Sequence, residues 1–447
     1  MICLYVVVFM ACVLSFTGGA RAREPALSLD AAVSEAIHNN TLIRQAIEKQ
    51  RAAMENEKSA AADLLPKLSV EYTYAHFKDK PYLLFDIPPL GSTKFDTWKQ
   101  DRFAWDVSVT QPLFTGFALM TRRRIAELGI RMADIKKEQA VQDVILHASV
   151  GYFNILLAEH YLETADESVN QLEGHAKDAT LFYDQEIIPE NDLLKSRVAL
   201  AHARQNRVTA ASRLNVAVAA LNIILNRDIT IKTRIKDVPW HAPAGLELPV
   251  LFKRAMAQRP ELKALETAVC QAAQAVRMEK SNYYPKVYLT GRYEQVGDNI
   301  RATNNEFGNS HNTIIGAQAR WPFFEWGKTR ADVNKAFHDM KALEAKIDGI
   351  RDSIRLEVKD AYEKLMVANE NIKTAETALA QAKENFRITN LQYRQQVTTS
   401  TEVLDARSFL TRAEMNYYNA RYGYMIAKAA LDRAVGSNDV CRADTLR

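Results

Sequence analysis

Gln111-Pro112-Leu113-Phe114-Thr115-Gly116 closes an alternating apolar run and opens about 70 residues without proline, and Trp321-Pro322-Phe323-Phe324-Glu325-Trp326-Gly327 repeats the event 210 positions later. Working outward, the 210-residue register holds without a gap from about Pro112 to Asn226. It pairs Tyr152 with Tyr362, Thr164-Ala165 with Thr374-Ala375, Tyr183 with Tyr393 and Ala219-Ala220-Leu221 with Ala429-Ala430-Leu431. Upstream the shift is 219, pairing Leu29 with Leu248, Ala36 with Ala255 and Pro66-Lys67 with Pro285-Lys286. An ungapped match that includes prolines and tyrosines is an internal duplication rather than two alanine-rich helices in accidental register. The nine-residue difference falls in a longer loop of the first copy.

Before the quoted prolines the period is two. Leu68, Val70, Tyr72 and Tyr74 alternate with polar or small residues, as do Phe103, Trp105, Val107 and Val109. Lys286 to Val296 and Asn312 to Pro322 behave likewise, with Ile315, Ala317, Ala319 and Trp321 facing one way and Gln318 and Arg320 the other. These are two hairpins, 68–112 and 286–322, of ~10-residue strands with one apolar face, the length at which tilted strands span a bilayer. Tyr72, Tyr74, Phe103, Trp105 and Trp321 are the expected membrane-facing aromatics. Four strands cannot close, and an open edge in lipid leaves backbone groups unpaired. Three chains sharing one barrel of twelve strands solve the problem.

After each quoted turn the period becomes helical. Val144, Ala148, Gly151, Ile155, Ala158, Leu162, Ala165, Val169, Leu172 and Ala176 step by four and three, and so do Ile354, Val358, Ala361, Leu365, Ala368, Ile372, Ala375, Leu379, Ala382 and Phe386. That is a coiled-coil seam on a helix of ~100 Å at ~1.5 Å per residue. The tips Ile187-Ile188-Pro189-Glu190 and Val397-Thr398-Thr399-Ser400 turn the chain back into helices of about 36 residues. Opening helices of similar length, Ser28 to Leu64 and Glu247 to Tyr284, stack on the return helices to match the long ones. The predicted fold is mainly α with a small β part: a long antiparallel coiled-coil helical barrel plus four strands given to a trimeric transmembrane β-barrel. Its segments are a first repeat over 23–226 with coiled-coil hairpin 117–226, an equatorial linker over 227–247, a second repeat over 248–436 with coiled-coil hairpin 328–436, and a tail over 437–447.

The apolar run from Ile2 to Phe16, followed by Ala20-Arg21-Ala22, reads as a signal peptide over 1–22 without the usual basic n-region; a lipid anchor on Cys12 is the competing reading. Cys270 and Cys441 alone would remain in the mature chain, so no disulfide framework is indicated. No other stretch approaches the ~20 apolar residues of a spanning helix. A net charge of +4, evenly spread, marks no nucleic-acid surface.

Tyr393-Arg394-Gln395-Gln396-Val397, then Glu402-Val403-Leu404-Asp405-Ala406-Arg407, with Gln111-Pro112-Leu113-Phe114, resemble the TolC-like outer-membrane efflux proteins over essentially the whole mature chain. The resemblance implies a homotrimer in outer-membrane lipid, a tunnel through the periplasm, a periplasmic adaptor (membrane fusion) protein and an inner-membrane RND or ABC transporter. It implies an exit duct for efflux or type I secretion, with no cofactor and no catalysis. A periplasmic coiled-coil scaffold without channel activity is the alternative, and has no use for aromatic hairpins. By motif, Tyr393, Thr398, Glu402 and Asp405 take the periplasmic gate positions, with Thr398 where a family member has an arginine and Gln396 where a tip glycine is common. Ile187, Ile188, Pro189 and Glu190, with Val397, Thr398, Thr399 and Ser400, are the adaptor-contacting tips. Glu402 and Asp405, three apart, share a helix face, and a three-fold axis would gather six carboxylates with raised, coupled pKa values. Thr399-Ser400-Thr401-Glu402 is also a capping box.

Enzymatic signals are weak. Gly327-Lys328-Thr329 ends like a phosphate-binding loop, but the required earlier glycine is Pro322, so it reads as a turn into a helix. The nine histidines show no metal-ligand spacing and are expected to be solvated or capping.

Overall fold

The computed structural model describes residues 26–89, 91–239 and 247–437; the signal peptide, Cys12, Cys441 and most of the tail lie outside them. In the first copy α1 (Leu29–Asn39) and α2 (Thr41–Ala62) lead into β1 (Lys67–His76), β2 (Tyr82–Ile87), β3 (Gly91–Asp96) and β4 (Asp101–Phe114). The long α3 (Ala118–Asp184) and its return α4 (Glu190–Ile224) follow. The second copy runs α5 (Leu248–Gln258), α6 (Pro260–Lys280), β5 (Lys286–Gly297), β6 (His311–Arg320), α7 (Lys328–Arg394) and α8 (Ser400–Val435). α3 and α7 are each 67 residues long, ~100 Å. Their returns are 35 and 36 residues, so the duplicated columns match nearly turn for turn.

Two expectations need correction. Neither opening helix is continuous. Asn40 leaves the helical region (φ −62°, ψ 136°), and its side chain accepts from Leu42 N while donating to Ile224 O at 2.8 Å. In the second copy the break falls at Arg259, because Pro260 disfavours the helical conformation in the residue before it. Second, the longer loop of the first copy is a separate two-stranded sheet, β2 with β3, pairing Leu83 with Phe95 and Phe85 with Thr93.

The main sheet has the order β1-β4-β5-β6, all antiparallel. Its register places Tyr72 opposite Trp105, Val70 opposite Val107, Val109 opposite Gly291 and Gly291 opposite Ile315. The alternations of all four strands therefore add up to one apolar face. The opposite face is polar: Ser69 meets Ser108 at 2.7 Å, and Arg292 reaches Asp106 at 3.3 Å. β1 and β6 are both unpaired at their outer edges.

Beneath the sheet the helices form one layer. Towards the strands the lateral order is α2-α3-α6-α7, and towards the tips it is α4-α3-α8-α7. The innermost helix, α3, buries far more of itself than α7, which lies at a margin of the layer. β6 and α7 thus end one side of the protomer, while β1, α2 and α4 end the other.

The largest core lies at the level of the helix breaks, where Ala32, Val33, Tyr152, Leu221, Leu365, Tyr422 and Leu431 are buried together. α3 also holds an 18-residue window apolar enough to span a membrane, against the expectation that no stretch after the N-terminal run comes near that composition. Half of it is buried within the protein, as the apolar face of a core helix is. The described part of the linker is strapped on: Leu27 bridges Ile235, and Tyr152 Oη donates to Lys236 O at 2.6 Å. Arg259 forks onto Glu357 at 2.9 and 2.8 Å, and Arg433 spans Asp143 and Glu261 at 2.7 Å each.

Candidate functional site: the hairpin tips

The two tips share a backbone and differ in side chains. α3 and α7 each end on a non-glycine residue in the left-handed region, Glu186 (φ 59°) and Gln396 (φ 61°). The next amide reaches back to close the turn, Ile187 N to Phe182 O at 2.8 Å and Val397 N to Gln392 O at 2.9 Å. Gln396 therefore occupies a conformation that glycine adopts at least cost, which accounts physically for the glycine preference it departs from. The return helices start differently. Pro189 offers no side-chain cap to α4, whereas Thr399 Oγ1 accepts from Glu402 N at 3.5 Å. The capping role expected for that segment is present.

Of the residues expected at the gate, Tyr393 is buried (2% exposed), its ring 4.6 Å from that of His175 and 5.5 Å from that of Phe182. Its hydroxyl lies beside Ser400 without a well-formed hydrogen bond, and burial holds the phenol above its ordinary range. Next to it Arg394 Nε reaches Asp178 Oδ2 at 3.2 Å, tying the end of α7 to α3. Thr398 is half-buried; Glu402 and Asp405 are exposed on one face of α8. At the tips Ile187, Pro189, Glu190, Val397 and Thr399 are exposed and Ile188 is half-buried.

Ser400 is a correction: expected at the adaptor-contacting surface, it is buried between helices. Its hydroxyl sits 2.8 Å from His175 Nε2 and 2.9 Å from Ser196 Oγ, so α3, α4 and α8 meet at one polar node. His175 corrects the expectation of solvated histidines as well. It is 4% exposed, and burial pushes its pKa down to about 4, against a weaker opposing pull from Asp178. The signal was available, because His175 falls three residues after Leu172 on the seam; a lone histidine there does not reveal its hydroxyl partners.

Two turns along α8 a buried ion pair was also missed. Arg407 (2% exposed) reaches Glu414 at 3.4 Å, Gln171 Oε1 at 2.8 Å and Thr164 O at 3.4 Å. Burial lowers the arginine's proton affinity and raises the carboxyl's pKa. The Gly327-Lys328-Thr329 segment is a turn into α7: Gly327 is left-handed (φ 82°), and Thr329 Oγ1 donates to Glu325 at 2.9 Å. No cluster of metal-ligating side chains occurs among the described residues.

A duplicated helical layer joined to an open, one-face-apolar sheet defines a channel-forming class of outer-membrane protein. Residues 32–227 and 251–437 match the family described as outer membrane efflux protein, and the chain belongs to that family. The two matched blocks coincide with the two copies. The chain is 20% identical over 414 residues to the outer membrane protein TolC of Escherichia coli strain K12, covering 89% of this chain and 80% of that one. It is 22% identical over 412 residues to the alkaline protease secretion protein AprF of Pseudomonas aeruginosa, covering 89% and 82%. The crystal structure of the Campylobacter jejuni CmeC outer membrane channel superposes with a TM-score of 0.77 at 17% identity, covering 91% of this chain and 85% of that one. The protein is thus an outer-membrane exit channel.

Proposed function

We propose that three copies of this chain form one continuous duct, with β6 of each protomer paired to β1 of the next and α7 laid against the next α2 and α4. The observation that carries this reading is that sheet and helical layer end on the same two sides, so one rotation closes both. Tyr72, Tyr74, Phe103, Trp105 and Trp321 then face lipid, and the Arg292–Asp106 side faces the lumen. The tips engage a periplasmic adaptor through the exposed Ile187, Pro189, Glu190, Val397 and Thr399, and an inner-membrane RND or ABC transporter supplies the energy. Similarity to both TolC and a protease secretion protein supports a conduit without a dedicated cargo pocket.

The second tip is the gate. Glu402 and Asp405 are exposed on one face, where three protomers would present six carboxylates around the axis, while Tyr393 anchors that tip to α3. In planar bilayers the double variant Asp405→Asn, Glu402→Gln should lose current block by multivalent cations and keep its open conductance. Unchanged block removes these residues from the gate; absence of any conductance in the parent protein removes the channel itself.

A further inference from the structure

Where the sheet joins the helical layer, α3 and α6 diverge around a cleft of about 590 Å³. Its floor is Gly116, which must be glycine, since a Cβ there would lie 2.4 Å from Ser281 O. One wall is aromatic. Phe117 and Tyr284 line the cleft and pack edge-to-face with Phe114 and with each other, ring centroids 5.4 to 6.3 Å apart. The lining also includes the basic residues Arg124, Arg277 and Lys280, and Met120.

Register tells which side of the duct this cleft opens on. Phe114 lies opposite Val287, which lies opposite Ala319, so the aromatic wall continues the apolar face of the sheet rather than its polar one. The cleft therefore faces outward at the periplasmic rim of the barrel. It also sits between the two inner helices of the order α2-α3-α6-α7, so closing the protomer edges leaves it open.

The charges are distinctive as well. Arg122 and Arg123 are each neutralised across the layer, by Asp63 at 3.1 Å and Glu57 at 2.9 Å, and Arg124 pairs with Glu127 on its own helix at 2.6 Å. Arg277 and Lys280 are exposed, and their side chains make no ion pair or hydrogen bond among the described residues. They lie in the last turn of α6, where they complement the helix dipole. The dipole alone does not require an aromatic shelf and an exposed methionine (62%) beside them.

We infer that this cleft is a headgroup site for an anionic phospholipid of the periplasmic leaflet. Arg277 and Lys280 take the phosphate and its net negative charge, and Phe117, Tyr284 and Met120 cover the glycerol and first methylenes. The inference rests on the outer-membrane reading of the barrel. A zwitterionic lipid carries its own cation and gains less from two unpaired basic groups; free phosphate leaves the apolar wall bare.

The test is lipid retention by the detergent-purified trimer in native mass spectrometry, with phosphatidylglycerol, phosphatidylcholine and inorganic phosphate as separate probes. Phosphatidylglycerol should be retained at up to three per trimer, in preference to phosphatidylcholine, and should resist excess inorganic phosphate. Arg277→Gln with Lys280→Gln should weaken that retention roughly tenfold or more, the scale expected for two basic contacts at an anionic surface. Both side chains are exposed, so the variant should run as the same heat-modifiable trimer with parental conductance. Equal retention of the two lipids, displacement by phosphate, or undiminished retention by the variant overturns the site. Loss of conductance in the parent protein would instead strike at the channel reading.

Discussion

His175 shows how one side chain can make the tip sensitive to acid. Its ordinary pKa of 6.5 is pushed down to about 4, so between those values a loosened tip binds a proton that the packed tip refuses. The stabilisation is complete above pH 6.5 and is lost as the pH falls towards 4, an upper limit of ~3 kcal/mol per protomer at ~1.4 kcal/mol per unit. A nitroxide probe at Val397→Cys, in a Cys270→Ser, Cys441→Ser background, should become more mobile between pH 6.5 and 4.5. His175→Gln should abolish most of that dependence; an identical response without the imidazole assigns the acid effect elsewhere. The Arg407–Glu414 pair makes a second residue-scale prediction. Glu414→Leu strands a buried guanidinium and should destabilise the coiled coil by about 3 to 5 kcal/mol, whereas adding Arg407→Met should recover most of the loss. The midpoint of thermal dissociation of the trimer reads both. Neither group was legible in the sequence as more than a polar residue on a helix. Seam spacing says which positions face a partner helix, but partner identity comes from helices more than 200 residues away, as with His175 and Ser400.

At the scale of elements, periodicity and proline placement were enough for the long helices, the four barrel strands and their shared apolar face. What escaped were the interruptions. Asn40 ends α1 by hydrogen-bonding the carbonyl of Ile224, a contact invisible to local pattern. Pro260 was visible, but its consequence was overridden by the helical spacing on either side. The β2–β3 sheet was hidden because Tyr82-Leu83-Leu84-Phe85 reads as a loop insert when only the duplicated frame is followed. The strand-to-helix turns allow a matched comparison. Gly116 and Gly327 both have positive φ, yet a Cβ on Gly116 meets Ser281 O while one on Gly327 meets nothing within 4 Å. Gly327→Ala should therefore cost only the backbone term, about 1 kcal/mol, and leave the trimer intact. Gly116→Ala must also displace the Ser281 backbone just past the end of α6, and should abolish most SDS-resistant trimer at temperatures the parent survives. Equal behaviour of the two variants would mean that the close approach at Gly116 does not limit assembly.

For the whole molecule, in the proposed trimer, duplication would set a pseudo-six-fold wall and the unlike tips would reduce it to three-fold. The tips share their backbone closure, so the asymmetry is confined to side chains: Thr399 caps where Pro189 cannot, and Tyr393, Arg394 and Ser400 all reach into the first hairpin. The second hairpin is thus held by the first, and if the second tip is the gate as proposed, its opening would break these contacts within a protomer. Closure itself makes the sharpest demand. β1 and β6 differ in sequence and lie on opposite sides of the protomer, so each contact is heterologous, and a heterologous contact yields a closed ring or an open chain but no self-limiting dimer. With Cys270 and Cys441 both replaced by serine, cysteines at Thr73 on β1 and Asn312 on β6, both on the polar face, should be joined by a flexible bis-maleimide into covalent dimers and trimers in outer-membrane fractions. Either cysteine alone should give neither, because two β1 edges or two β6 edges never meet. Crosslinked dimer from a single cysteine, or a double variant that stops at dimer under exhaustive reaction, would contradict the ring and require a two-fold pairing of protomers instead.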